Sequence, residues 1–319
     1  MHRRNFISLM TYTAMGLAPW RARAKIPATD ADVTFLRKAD ADFAVYRTLF
    51  NARIERNPAI IALCMNENGV RKAVQMARAE CLVVSIKSGG HHFDGYSSND
   101  GGMVIDLALM SQHRPGPAGR VIAAPSMRLM QVYENLMPQG RLLPTGSCAM
   151  VGLSGITLGG GYGLYSREHG LTCDWLRRAR VVDGRGNVHE VAAGTDLMWA
   201  LRGGGGGGLG VVTEMEFDTV ACPKGIWSYR FKAHQLKPAQ VQDKTRAWFA
   251  AAAGLPRHAF SAYVLSGTSL TLLVTSTLST PDATLQKALR EMTAFTDKTF
   301  PGAYSPLPQG TRKYYGKLS

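Results

Sequence analysis

Apolar residues along the chain fall into short runs that alternate with stretches of helical period, a pattern of mixed helix and sheet. The run 59–63 predicts a strand. Over 67–80, Val70, Ala73, Val74 and Ala77 share one helical face, and 82–86 is a second apolar run. Strand, helix and strand in so few residues predict a parallel βαβ unit. Further along, 103–107 predicts a strand, 126–137 a helix, and 180–182 with 188–191 a hairpin around Asp183-Gly184-Arg185-Gly186-Asn187. A helix over 197–202 and a strand over 211–217 follow. Upstream, 25–57 reads as a lead-in with one helix around 43–54. Composition shifts near Cys222-Pro223, and beyond it the pattern predicts a strand over 227–231, a helix over 239–253, strands over 260–265 and 270–277, and a helix over 282–296. No internal repeat is evident.

The 319 residues, 45% hydrophobic and 19% charged, suit one large or two medium globular domains. No apolar run approaches the roughly 18 residues that span a bilayer, so no membrane span is expected. The N-terminus does not read as folded structure. Arg3-Arg4-Asn5-Phe6-Ile7 leads into a weakly apolar, uncharged stretch to Trp20, then Arg21-Ala22-Arg23-Ala24. A basic region, a short apolar region and an Ala-x-Ala site mark 1–24 as an export signal. Its paired arginines resemble a bacterial twin-arginine signal, which implies a periplasmic or secreted protein exported already folded.

The formal charge is +14. Four arginines and no acid lie in the signal, leaving 14 − 4 = +10 for the remainder. The basic residues are dispersed, without aromatic interleaving, so no nucleic-acid partner is expected. Five cysteines (64, 81, 148, 173 and 222) form no C-x-x-C pair, which argues against a disulfide framework or a zinc site.

Candidate chemistry gathers where glycine does. Lys87-Ser88-Gly89-Gly90-His91-His92-Phe93-Asp94-Gly95-Tyr96-Ser97 directly follows a predicted strand. Its glycines let successive backbone N–H groups turn inward, the kind of nest that binds a pyrophosphate. A plain turn with surface histidines is the alternative. The second element runs from Pro144 to Gly163 and holds glycines 146, 152, 155, 159, 160, 161 and 163 around one cysteine, Cys148. Glycine costs roughly 0.5–1 kcal/mol relative to alanine inside regular structure, so such density points to a ligand or backbone approaching closely. A small buried hydrophobe is the alternative for the cysteine. Three rival motifs fail on context. The six glycines 203–208 formally contain G-x-G-x-x-G, but a helix precedes them and a strand follows, the reverse of the dinucleotide fold. Gly152-Leu153-Ser154-Gly155-Ile156 lacks the second glycine of a nucleophile elbow. His91 and His92, adjacent on extended backbone, face opposite ways and make a poor metal pair.

Four blocks in order resemble the vanillyl-alcohol oxidase / p-cresol methylhydroxylase (PCMH-type) flavoproteins, most closely the berberine bridge enzyme-like branch. They are Ser88-Gly89-Gly90-His91; Gly146-Ser147-Cys148 leading to Val151-Gly152-Leu153-Ser154-Gly155; Gly159-Gly160-Gly161-Tyr162-Gly163 with Gly170-Leu171 and Asp174; and Leu201-Arg202-Gly203-Gly204-Gly205 with Gly210-Val211-Val212-Thr213. The resemblance implies an α+β fold: a two-subdomain FAD-binding domain over 58–222, then a partial substrate domain over 223–319 with an antiparallel sheet and helices. It implies FAD held on two covalent bonds, His91 to the flavin 8α-methyl carbon and Cys148 to C6. The Ser88–Gly90 backbone would hold pyrophosphate, with His92, Gly95 and Ser97 in the same loop. Gly152, Gly155, Thr157, Gly160, Gly161 and Gly163 would lie along the cofactor, with Asp174 nearby, and the Val211-Val212 backbone would meet its adenine end. Val151 occupies a position where a small side chain leaves room for dioxygen, which favours an oxidase. The implied activity is hydride transfer from an alcohol, sugar or amine to the flavin, with reoxidation by dioxygen or another acceptor.

The match also breaks. His92 replaces a small polar residue, and Gly208-Leu209 replaces an Asn-Phe-type pair. The segment after 223 is short against the family's substrate domain, and no motif carries over a catalytic base; Tyr314 and Tyr315 are the tyrosines near the end. Three readings therefore stand. One is an oxidase with a shortened or partner-completed substrate domain. Another is a truncated or split-gene flavin-binding fragment without activity of its own. The last is a nucleotide-binding or redox-carrier protein.

Overall fold

The computed structural model describes residues 30–307 except 279; the expected export signal over 1–24, Tyr314 and Tyr315 lie outside the described residues. The chain opens with β1 (Val33–Leu36), α1 (Phe43–Arg47), β2 (Ile60–Cys64), α2 (Glu67–Ala79), β3 (Val84–Lys87) and β4 (Met103–Asp106). Asn66 starts α2 by accepting the Gly69 N–H at 3.0 Å, and Glu67 sits at the positive end of the helix dipole. The helix buries Val70, Ala73, Val74 and Ala77 against Ile60, Met103 and Ile105 of the sheet. That sheet has the order β1-β2-β4-β3, with β2 and β3 parallel to β4 and β1 antiparallel to β2. The expected parallel unit is present, but β4 lies between its two strands. Only pairing across the sheet, not local pattern, decides such an insertion.

The second subdomain contains β5 (His113–Pro115), β6 (Val121–Ala123), α3 (Leu129–Leu136), β7 (Arg141–Leu142), α4 (Leu153–Leu158), α5 (Ser166–His169), β8 (Leu176–Val182), β9 (Val188–Ala192), α6 (Asp196–Leu201), β10 (Val211–Phe217) and β11 (Val220–Ala221). Its antiparallel sheet runs β5-β6-β10-β8-β9, while β7 pairs with β11. Leu129, Val132 and Tyr133 of α3 pack with Leu153 and Leu158 of α4 and with Val181, Met215 and Phe217 of the sheet. In the β8–β9 turn, Asp183 Oδ1 accepts the N–H groups of Arg185 and Asn187, so the hairpin expected there is closed by an aspartate. The two subdomains join through apolar and ionic contacts. Val182 and Val211 complete the first core, and Arg180 donates to both oxygens of Glu67 at 2.9 and 2.7 Å.

The third body is β12 (Gly225–Ala233), α7 (Pro238–Ala253), β13 (Ala259–Ser266), β14 (Ser269–Ser276), α8 (Ala283–Ala294) and β15 (Lys298–Pro306). Its sheet order is β13-β14-β12-β15, antiparallel throughout, over a core of Phe231, Leu270, Leu272, Val274, Leu285 and Met292. It meets the second subdomain where Arg167 donates to the Leu255 carbonyl at 2.8 Å and Thr277 to Glu168 at 3.1 Å.

One expectation is corrected in the lead-in. The helix around 43–54 stops at Arg47, and Thr48 is already extended. Residues 48–54 bond to a distant loop instead: the Phe50 N–H donates to Gly90 at 3.0 Å, and the Asn51 amide to Phe93 at 2.7 Å. Those tertiary bonds win over the helical period.

Candidate functional site

Two glycine-rich loops meet where the first two subdomains join. The first leaves β3 at Lys87 and carries His91; the second carries Cys148 and ends at Gly152, where α4 begins. A Cβ on Gly89 would stand 2.4 Å from the Gly152 nitrogen, and a Cβ on Gly152 would stand 2.2 Å from Ser88 Oγ. Only hydrogen fits at either position, so the backbones touch. This contact lies two residues before His91 and four after Cys148.

Each loop is held from behind. Ser88 Oγ donates to the Pro125 carbonyl at 2.8 Å. The Tyr133 hydroxyl, buried under α3, lies 3.0 Å from the Thr145 carbonyl and 2.7 Å from that of Gly146. Arg128, at the start of α3, sends one guanidinium nitrogen to the Gly89 carbonyl at 3.0 Å and to the Met150 carbonyl at 2.8 Å. Below the first loop, Lys87 and the fully buried Asp106 form an ion pair of 3.1 Å at the ends of β3 and β4. Lys87 also donates to the Tyr46 carbonyl. Burial pushes the Asp106 carboxyl up, against the opposing pull of Lys87 and the Ala108 N–H.

The His91 ring is half-buried and stacks on Phe50, centroids 4.1 Å apart and planes inclined by 18°. Burial first, and the Arg128 charge second, hold its imidazole below the ordinary histidine range, which favours the neutral ring. His92 turns outward instead: it is exposed, tilts against Tyr96 at 4.6 Å and accepts the Asp94 N–H at 3.2 Å. Cys148 is half-buried with a free thiol, and its carbonyl accepts the Val151 N–H at 3.3 Å.

The other expected residues divide by where they face. Gly155 has open space where a side chain would stand, as do Gly205, Gly207 and Gly208, and the Gly205 N–H ties that loop to the Leu158 carbonyl at the end of α4. Gly160 meets only Leu171 at 3.5 Å. Gly161 and Gly163 press on Thr172 and on the Thr145 carbonyl, and Gly95 packs on Ile54, so these three glycines serve close approach within the fold. Thr157 is fully buried and its hydroxyl donates to Leu153 within α4, which leaves its side chain no face toward a ligand. Asp174 is exposed and accepts the Leu171 N–H at 2.7 Å, closing its own turn. Val211 and Val212 bury their side chains in two different cores. Since β6 pairs with β10 only over 215–217, their backbone edge on that side lies beyond β6. A cavity of about 280 Å³ lies between the subdomains, but none of its lining residues belongs to the two loops, and its Arg114 and Arg180 are paired with Glu214 and Glu67.

Arg128, Phe50, Lys87 and Asp106 were not singled out as site residues by sequence pattern. Arg128 had a signal, a lone cation between Met127 and Leu129 at the head of an apolar helix. Phe50 had none, because its partner is a loop forty residues away. Hydroxyls of Ser97 and Ser98 in the first loop, Ser126 beside Arg128 and Thr145 in the second loop are buried without a partner within the fold. Buried hydroxyls are ordinarily satisfied, so these four mark polar positions in or near the two loops that a water or a ligand group would satisfy.

Comparison with known proteins gives the same picture. The FAD binding domain family matches residues 58–192. Glucooligosaccharide oxidase of Sarocladium strictum is 36% identical over 205 residues, which are 63% of this chain and 41% of that one. Chitooligosaccharide oxidase of Gibberella zeae is 37% identical over 209 residues, 64% of this chain and 41% of that one. The solved glucooligosaccharide oxidase of Acremonium strictum, described for a novel flavinylation, superposes with a TM-score of 0.80 at 28% identity, covering 90% of this chain and 61% of that one. A second structure of the same enzyme is described by its 6-S-cysteinyl, 8α-N1-histidyl FAD. The chain thus matches about two fifths of the length of these curated relatives. Residues 58–192 match an FAD binding domain, and the chain is similar to oligosaccharide oxidases and berberine bridge enzyme-like flavoproteins.

Proposed function

We propose that this chain holds FAD on two covalent bonds, one from the His91 imidazole and one from the Cys148 sulfur, as the flavin side of an oxidase. The observation that supports it is the Gly89–Gly152 contact, which presses together the loops bearing these two nucleophiles. The flavin would supply a two-electron acceptor for a hydride from an alcohol, sugar or amine substrate, with dioxygen or another acceptor taking the electrons onward. Oligosaccharide oxidases recur among the relatives, beside an (R)-6-hydroxynicotine oxidase, so a sugar hydroxyl is the substrate favoured here.

The chain's own residues divide the work. Backbone N–H groups over Ser88–Gly90 and the free hydroxyls of Ser97 and Ser98 would hold the pyrophosphate. Bare backbone at Gly152, Gly155 and Gly160 lets the ring lie close. Phe50 fixes the plane of His91, whose neutral form offers a nitrogen lone pair, and Cys148 would offer its sulfur. Val151, half-buried three residues after Cys148, would keep a small side chain near the reacting edge. Val211 and Val212 contribute through backbone alone.

Adding a gluco-, chito- or xylooligosaccharide to the yellow protein without oxygen is expected to bleach it, and air to restore the colour. A flavin that no sugar, alcohol or amine bleaches would favour the second reading, a flavin-binding unit without turnover of its own. The matched share of the relatives' length keeps that reading in play. We also propose export through Arg3-Arg4. Changing both to lysine should retain the precursor in the cytoplasm, and unchanged export would contradict a twin-arginine route.

A further inference from the structure

We propose that Arg128 is a positioning residue for flavin attachment: it clamps the His91 loop and the Cys148 loop at the separation that lets one ring reach both. The proposal rests on the reading of His91 and Cys148 as tethers. Its geometry is independent of that reading. One guanidinium nitrogen serves the carbonyl of Gly89 at 3.0 Å and that of Met150 at 2.8 Å, one carbonyl from each loop. The Arg128 backbone also makes a strand-like bridge to Gly152, the residue that touches Gly89. No other described side chain bonds to carbonyls of both loops. Gln131 accepts the Arg128 N–H at 2.7 Å and so fixes the base of the side chain at the start of α3.

The energetic reason is charge. A half-buried cation shared by two carbonyls makes charge-assisted bonds, stronger than neutral ones. Without it the two loops lose their shared donor and gain freedom to part. Loss of a fraction of an ångström in spacing matters most for the second bond, because the first already fixes the ring. Each attachment replaces one flavin C–H and one imidazole N–H or thiol S–H by a C–N or C–S bond. The two electrons and two protons released reduce dioxygen to hydrogen peroxide. Arg128 takes no part in that exchange of atoms; it sets where His91 and Cys148 stand.

The same cation is the one charge that acts on His91 among the described residues, and the ring against His91 is the uncharged Phe50. Removing the charge should therefore let His91 hold its proton to higher pH. A purely structural residue would not move that limb of the attachment profile.

The experiment compares the full-length protein with Arg128→Met and Arg128→Lys. Each is denatured, digested and analysed for peptides linked to flavin through His91, through Cys148 or through both. Arg128→Met is expected to lower the doubly linked fraction about tenfold, the effect of losing one charge-assisted interaction. It should also move the acidic limb of attachment upward in pH. Arg128→Lys, which keeps the charge on a shorter reach, should fall between the wild type and Arg128→Met and keep the wild-type limb. Whichever variant accumulates folded, a doubly linked fraction equal to the wild type's overturns the proposal; so does failure of both to fold, which assigns Arg128 to the fold alone. The wild-type sample separates the two claims. No linked flavin there counts against His91 and Cys148, whereas linked flavin unchanged in the variants counts against Arg128.

Discussion

Gly152 has no room for a methyl group, because Ser88 Oγ and the Gly89 nitrogen occupy the place at 2.2 and 2.6 Å. The obstacle is largely backbone, which cannot rotate away as a side-chain end can. Gly152→Ala is expected to cost about 1–3 kcal/mol, as overpacking does elsewhere, seen as a lower urea midpoint. Linked flavin should fall with it, since the loops must separate. A variant of unchanged stability and flavin content would show that the contact is loose. His91 differs in kind. Its ring plane is set by Phe50 and its protonation by burial and Arg128, none of which is adjacent in sequence. The resemblance of their motifs therefore marked His91 and Cys148 as candidates, while the groups that orient them stayed hidden until the chain was folded.

At the scale of elements, α2, α6, β10 and the β8–β9 hairpin were legible because their apolar period, caps and turn residues agree with their final surroundings. The short helices α4 and α5 were not. Glycine suppresses the periodic signal there, and their form comes from tertiary contacts: Leu153 and Leu158 of α4 sit in the second core, and Arg167 and Glu168 of α5 bond to Leu255 and Thr277. β5, β6 and β15 escaped too, being short or supported by pairing with strands far away. The Lys87–Asp106 pair belongs to this scale, since it ties the ends of β3 and β4 under the His91 loop. Lys87→Met should destabilise by about 3–5 kcal/mol near neutral pH, by leaving a buried carboxylate alone. The sign with pH follows. The folded pKa of Asp106 is raised by burial, and removing Lys87 raises it further. Proton uptake then favours the fold, so the deficit relative to wild type should shrink as pH falls and be largest above the raised pKa. Urea titrations at several pH values check this; a deficit independent of pH would mean that Asp106 is not the group left uncompensated.

Over the whole molecule, two subdomains and a third antiparallel body are joined so that the glycine loops face each other at the junction of the first two. The class of fold was legible from order and spacing of motifs across residues 58–222, because each block is the local price of a backbone that must come close to something. The catalytic base was not legible, and the chain matches about two fifths of its curated relatives' length. The two-bond reading is decided by the covalent state of the cofactor. The intact mass of denatured, washed protein measures it directly. One bound FAD is expected on the wild type, on His91→Ala and on Cys148→Ala, and the bare chain only for the double variant. A bare wild-type chain, or flavin still attached to the double variant, would contradict it.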